Sequence, residues 1–219
     1  MVHQVNIGIH VFAGTLAIVI GLFAINYNTR VVLHKKLGRN YVYLLSIVVA
    51  TGFIGFVFFR HDPFLLMLTL IAFYTGYAGF RNIRLKEHRS TLGDVAVVFC
   101  TLMIACCYLW KLAYAQGHWN ASVVIPTFVA LGLVTVYDLM KFFFFHEAIK
   151  KWWLYEHIYK MISTFSALVS AFSGNVLRDF HPYSQLVPSI FCTIMIIVFI
   201  TLKVRDNRQT PTAIVSVNP

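Results

Sequence analysis

The chain has 219 residues, of which 59% are hydrophobic, 16% aromatic and only 12% charged. Soluble domains carry about 25% charged residues, so this composition leaves too little polar surface for a water-soluble protein of this length. The same values exclude a disordered chain, a collagen, a coiled coil and a disulfide-rich secreted scaffold. We therefore expect a polytopic membrane protein that is embedded in the lipid bilayer.

Seven windows are apolar over the roughly 20 residues that a transmembrane helix needs. In chain order they are 7–25, 41–59, 63–80, 94–114, 123–140, 157–174 and 186–202. Long apolar runs favour helices over a β-barrel, whose strands alternate apolar and polar residues. The sequence predicts an all-α fold, with one seven-helix transmembrane domain over residues 1–205 and a short cytoplasmic tail over 206–219. The first window has no basic leader before it, so no cleaved signal is expected.

The positions of Lys and Arg predict the orientation of these spans. Most of the 18 basic residues lie after spans one, three, five and seven, and basic loops stay on the cytoplasmic side. The N-terminus is therefore predicted outside and the C-terminus in the cytoplasm, and we expect the bacterial inner membrane as the location. Loop positions and anionic headgroups explain the net charge of +10, so we expect no nucleic acid as a partner.

Small and polar residues follow one face of span one and one face of span six. Span one carries His10, Gly14, Ala17, Gly21 and Ala24, and span six carries Ser163, Ser166, Ser170 and Ser173. Small residues allow helices to approach closely in lipid, so these faces predict helix packing, within the chain, in a homo-oligomer or against a membrane partner. A polar cavity is the alternative for the serine face. The four cysteines, Cys100, Cys106, Cys107 and Cys192, match no zinc or redox spacing.

Nine histidines are many for so apolar a chain. His34, His88 and His157 fall at the predicted cytoplasmic boundary, the first two in loops, together with Glu156 and Asp94. Imidazole with carboxylate suits zinc or iron, whereas a pair of imidazoles from facing helices suits haem. On the outer side, His10 lies one turn inside span one, where His61 or His118 are possible partners. No His-x-x-x-His or His-Glu-x-x-His spacing supports a metal site.

Asp138 lies near the inner end of span five, one turn before Lys141. This spacing predicts an i,i+3 ion pair. The alternative is a proton relay or an ion site, because ionisable groups inside membranes are costly and often functional.

Short motifs in a fixed order resemble a large bacterial family of seven-span membrane proteins of uncharacterised function. They are His10 with Gly14, Ala17 and Gly21; His34, Lys35, Gly38, Arg39 and Tyr41; Gly76, Tyr77 and Arg81; His88 and Arg89; and His157, Met161, Ser163, Ala171, Phe172 and Asn175. The family's usual His-Arg pair is His34-Lys35 here, which keeps the charge but loses the guanidinium fork. The resemblance implies seven spans and directs attention to these residues, Arg39 and Arg89 included, but it implies no reaction.

Three functional hypotheses follow from these residues. The first is a membrane redox component that holds haem b or handles quinone through histidines at the helix ends. The second is a zinc-dependent intramembrane hydrolase in which the cytoplasmic histidines and a carboxylate bind the metal. The third is a transporter, or a structural or assembly subunit, in which Asp138 and the serine face are the relevant features.

Overall fold

The computed structural model describes residues 1–59, 61, 63–114 and 121–213, and the regular secondary structure of these residues is entirely helical. His118 and the last six residues of the predicted tail lie outside this part of the chain. The long helices, in chain order, are α1 (Val2–Asn26), α2 (Val31–Phe58), α3 (Pro63–Leu85), α4 (Leu92–Tyr114), α5 (Ala121–Met140), α7 (Trp153–Val176) and α8 (Tyr183–Ala213). Between α5 and α7 lie a π-helical segment (Lys141–Phe145), the short helix α6 (His146–Ile149) and a 3₁₀ turn (Lys150–Trp152).

Five helical segments are long and apolar enough to cross a membrane, which identifies a multi-pass membrane protein. They are Val2–Asn26, Val31–Phe58, Leu92–Leu112, Val124–Val176 and Tyr183–Asn207, and the fourth of them includes both α5 and α7. Helix α3 is not among them. It packs against α2, α4, α5 and α7, and its interior face carries buried polar residues such as Thr75 and Asn82. A helix surrounded by other helices need not be apolar on every side.

Helix α2 begins ten residues before the predicted span, so the predicted loop around His34 is wrong. Only Tyr27–Arg30 separates α1 from α2, and His34 lies in the first turns of α2. The helix continues through this basic stretch because Lys and Leu are good helix formers and no proline interrupts it. Lys35, Lys36 and Arg39 lie on its exposed side, where their long side chains extend towards water.

The small residues of α1 pack inside the chain. Ala17 is fully buried, and a Cβ atom built at Gly21 would lie 2.8 Å from the ring of Phe165 and 3.0 Å from that of Tyr41. The predicted small face of span one therefore contacts α2 and α7 of the same chain.

Glycines also bring α3 and α7 into close contact. A Cβ atom at Gly76 would lie 2.4 Å from Leu45 of α2, and one at Gly79 would lie 2.9 Å from the sulfur of Met161 and 3.2 Å from Cβ of Lys160. These two glycines therefore lie at tight helix contacts. The close approach carries the α7 side chains around Lys160 against α3.

The serine face of α7 binds α8. The Ser170 hydroxyl donates to the carbonyl of Gln185 at 3.0 Å, and the Ser173 hydroxyl lies 2.6 Å from the carbonyl of Ser184. For these two serines, the packing interpretation is the one that the structure supports.

One end of the bundle carries the α1–α2 turn, the α3–α4 loop and the π segment, and we call it the basic end. Arg89 of the α3–α4 loop donates from Nε and Nη2 to the carbonyl of Phe142 and stacks over the Phe142 ring at 4.7 Å. This contact fixes the loop to the π segment.

Candidate functional site

Four charged side chains meet between α5, the π segment and α7, near the basic end. We call Asp138, Lys141, Glu156 and Lys160 the charge network. Lys160 Nζ lies 2.6 Å from Asp138 Oδ1 and 3.9 Å from Glu156 Oε2, and Lys141 Nζ lies 2.7 Å from both Glu156 oxygens. Lys160 is 2% exposed, Glu156 6% and Lys141 8%. Two acids and two bases give the network zero net charge.

Three neutral side chains complete the hydrogen bonding of the two carboxylates. The Tyr74 hydroxyl donates to Asp138 Oδ2 at 2.5 Å. Tyr137 donates to Glu156 Oε1 at 2.9 Å, and Asn82 donates to Glu156 Oε2 at 3.0 Å. Tyr74 and Asn82 come from α3, so the network joins three long helices. A buried ion pair is tolerated when its remaining lone pairs are satisfied, as they are here.

The predicted ion pair between Asp138 and Lys141 is wrong. Lys141 binds Glu156, and Asp138 binds Lys160, fifteen and twenty-two residues along the chain respectively. The cause is local: Lys141 opens the π segment, whose wider turn changes the direction in which the side chain leaves the helix.

A second ion pair lies between α3 and α4. Arg81 donates from Nε to Asp94 Oδ1 at 2.6 Å and from Nη2 to Oδ2 at 2.8 Å, and the Tyr77 hydroxyl donates to Oδ1 at 2.6 Å. The Thr91 amide donates to Asp94 at 2.8 Å, which is the capping-box arrangement at a helix N-terminus. Asp94 thus lies in the first turn of α4, where a carboxylate is favourable.

A small polar cavity separates this ion pair from the charge network. Its volume is about 30 Å³, room for roughly two water molecules at about 10–15 Å³ each. Its lining includes Tyr74, Arg81, Asp94, Asp138 and Lys160. The cavity thus links the α3–α4 side of the basic end to the Asp138–Lys160 pair.

Two of the predicted histidines lie side by side. The rings of His34 on α2 and His157 on α7 are 6.5 Å apart, centroid to centroid, and nearly perpendicular. His34 Nδ1 lies 2.8 Å from the carbonyl of Ala24, and His157 Nδ1 lies 2.8 Å from that of Gly79. A carbonyl oxygen only accepts, so each Nδ1 carries a proton, and in the neutral imidazole each Nε2 keeps its lone pair.

The other predicted ligands lie elsewhere. His88 Nδ1 lies 3.0 Å from the Leu85 carbonyl of the preceding turn, and its side chain is exposed. Glu156 and Asp94 are engaged by Lys141 and Arg81. Within the residues described, no three His, Cys, Asp or Glu side chains are grouped closely enough to hold a metal ion.

Towards the end of the bundle opposite the basic end, His10 and His61 have different partners. His10 Nδ1 lies 2.9 Å from the hydroxyl of Thr51, which itself donates to the carbonyl of Ile47. His61 contacts the ring and the carbonyl of Phe56. The second partner proposed for His10, His118, lies outside the described residues.

Lys160 and the two tyrosines that donate to the carboxylates, Tyr74 and Tyr137, are not among the predicted site residues. Lys160 is nevertheless a charged residue inside an apolar window, four positions after Glu156, and such a residue needs a buried partner. Tyr74 and Tyr137 gave no comparable signal, because tyrosines are common in membrane helices and their hydroxyl partners depend on the three-dimensional packing.

Comparison with known proteins gives no relative for this chain. No family model, no curated protein and no solved structure matches it. The resemblance to the uncharacterised bacterial family stays a prediction.

Removing both partners of the Asp138–Lys160 pair should destabilise the protein by less than the sum of the two single removals. Lys160→Met and Asp138→Asn each leave a buried partner uncompensated, a cost of about 3–5 kcal/mol. We expect the double variant to lose less than the sum of the single losses. Unfolding in mixtures of mild detergent and SDS, followed by circular dichroism, measures the three free energies.

The exposed pair Lys203–Asp206 on α8 provides the control, and Lys203→Met should change stability little. Strictly additive losses at Asp138 and Lys160 would show that the two side chains do not interact.

Proposed function

We propose that the chain crosses the bacterial inner membrane seven times, with its N-terminus outside and its C-terminus in the cytoplasm. The five apolar segments support a multi-pass protein. Two features support seven spans: Val124–Val176 contains two long helices, α5 and α7, and α3 adds a further long helix. The basic residues near the α1–α2 turn, the α3–α4 loop and the π segment support a cytoplasmic position for the basic end.

We further propose that the protein is a membrane redox component in which His34 and His157 bind a haem b. One observation carries this proposal: two adjacent imidazoles lie on different helices, and each is hydrogen-bonded through Nδ1 to a backbone carbonyl. Those hydrogen bonds do not use the Nε2 atoms. Such a second hydrogen bond fixes the tautomer and the ring orientation of histidine ligands.

The ligand count favours haem over zinc. A bis-imidazole haem takes two axial histidines, and a pair on two helices supplies them. Catalytic zinc needs three protein ligands, and the described residues do not group a third His, Cys, Asp or Glu with this pair. A bound haem would supply one-electron transfer, and the chain would contribute the ligands and an apolar surrounding.

The location of the two histidines supports the haem proposal. Haem ligands in helical bundles project from facing helices. His34 lies in α2 rather than in a loop, and His157 lies in the second turn of α7.

Cysteine labelling tests the orientation. In a variant without the four native cysteines, Ser90→Cys should resist a membrane-impermeant maleimide in intact cells, whereas Asp179→Cys should react. Both should react after the cells are permeabilised. Labelling of Ser90→Cys and protection of Asp179→Cys in intact cells would reverse the proposed orientation.

Optical spectroscopy tests haem binding. Protein purified from cells supplied with a haem precursor should show the Soret and α/β bands of bis-imidazole haem, at about one haem per chain. His34→Ala and His157→Ala should each lose these bands, because each removes one axial ligand.

His88→Ala is the matched control, since His88 lies at the same end of the bundle but is exposed. It should keep the haem bands. Folded wild-type protein without them would refute the redox proposal, and the transporter hypothesis would then become the leading one.

A further inference from the structure

A cleft, separate from the small cavity beside Arg81 and Asp94, adjoins the charge network at Glu156 and Lys160. Its volume is about 330 Å³, and it opens between α5 on one side and α7 and α8 on the other. Leu133, Val134 and Ile200 line its apolar part. These residues lie within the apolar segments Val124–Val176 and Tyr183–Asn207.

Three tyrosines and two members of the charge network form the rest of the cleft. Tyr137 comes from α5, and Tyr155 and Tyr159 come from α7, with Glu156 and Lys160 between them at the inner wall. Aromatic walls with a few polar groups at the back are typical of sites for small organic ligands, and the volume lies at the lower end of their range.

The electrostatics of the inner wall favour a ligand head without net charge. Asp138, Lys141, Glu156 and Lys160 already neutralise each other. An anion added to the cleft would leave an uncompensated negative charge in an apolar surrounding, and a cation would lie beside Lys160 and Lys141. A neutral head with hydrogen-bond acceptors adds no charge, and a flat ring can stack on tyrosine.

We propose that this cleft binds the neutral ring of a membrane-dissolved quinone, with the ring between the tyrosines and the tail in the lipid. The volume suits a substituted six-membered ring but not its long tail, which the open side of the cleft leaves in the bilayer. The Nδ1 hydrogen bonds of His34 and His157 go to backbone carbonyls outside the cleft, so this inference does not require haem binding.

Ligand-induced stabilisation tests the proposal in the full-length protein in detergent. Decyl-ubiquinone, a benzoquinone with a ten-carbon tail, should raise Tm in a saturable way, by about 5 °C near saturation. Decanoate and decyltrimethylammonium have tails of the same length with a negative and a positive head. Each should produce a much smaller shift.

Tryptophan substitutions locate the site. Ile200→Trp fills the cleft from α8. Because the larger side chain would occupy the space of the ring, it should weaken the apparent affinity for decyl-ubiquinone about tenfold or more. Leu133→Trp fills it from α5, at a position that is 68% exposed and therefore tolerates a larger side chain. The control Ile190→Trp lies on an exposed part of α8, ten residues from Ile200, and should bind as the wild type does.

Three results would overturn the proposal. They are the absence of a saturable shift with the wild type, equal binding by both cleft variants and the control, and equal or tighter binding of either charged probe. The haem spectrum of the same samples separates the two proposals, because His157→Ala should lose haem and still bind decyl-ubiquinone.

Discussion

The cost of an unpaired charge in an apolar interior governs the arrangement of α3, α5 and α7. Lys160, Glu156 and Lys141 are almost completely buried in a protein with few charged residues. Each is acceptable there only because the others and Asp138 lie within ion-pair distance. The glycines of α3 allow α7 to approach closely, and the π segment directs Lys141 inwards. Pairing of charges, more than their number, therefore explains this part of the fold.

Helix α7 places two different chemistries on two of its sides. Glu156 and Lys160 project towards α3 and α5, into the charge network, whereas the neighbouring His157 donates to Gly79 and meets His34 of α2. One helix thus connects a pair of imidazoles, a set of compensated charges and the wall of a cleft open to the lipid. In the proposed redox component, a haem held by the two imidazoles would transfer electrons on one side of α7, and a quinone ring would lie on the other side.

Composition and hydropathy were enough to predict a helical membrane protein, because the lipid bilayer imposes length and apolarity on each span. The small face of α1 was also predictable from its spacing. The partners of the charged residues could not be predicted from the sequence. Asp138 and Lys141 are correctly spaced for an ion pair in a regular α-helix, but a π segment begins between them and neither sequence pattern nor propensity signals it. The sequence predicts His34 in a loop because the apolar window begins only at Tyr41, whereas α2 already begins at Val31. The pairing of His34 with His157 was one of several possible combinations, and only the packing of the helices selects it.

Infrared spectroscopy of the two buried carboxyl groups tests the paired charge network most directly. The difference between the spectrum of the wild type and those of Asp138→Asn and Glu156→Gln isolates the absorption of each group at neutral pH. We expect each difference to show the loss of an ionised carboxylate band, because Lys160 and Lys141 stabilise the charged forms. Loss of a protonated carboxylic acid band at either position would contradict the network as a set of compensated charges.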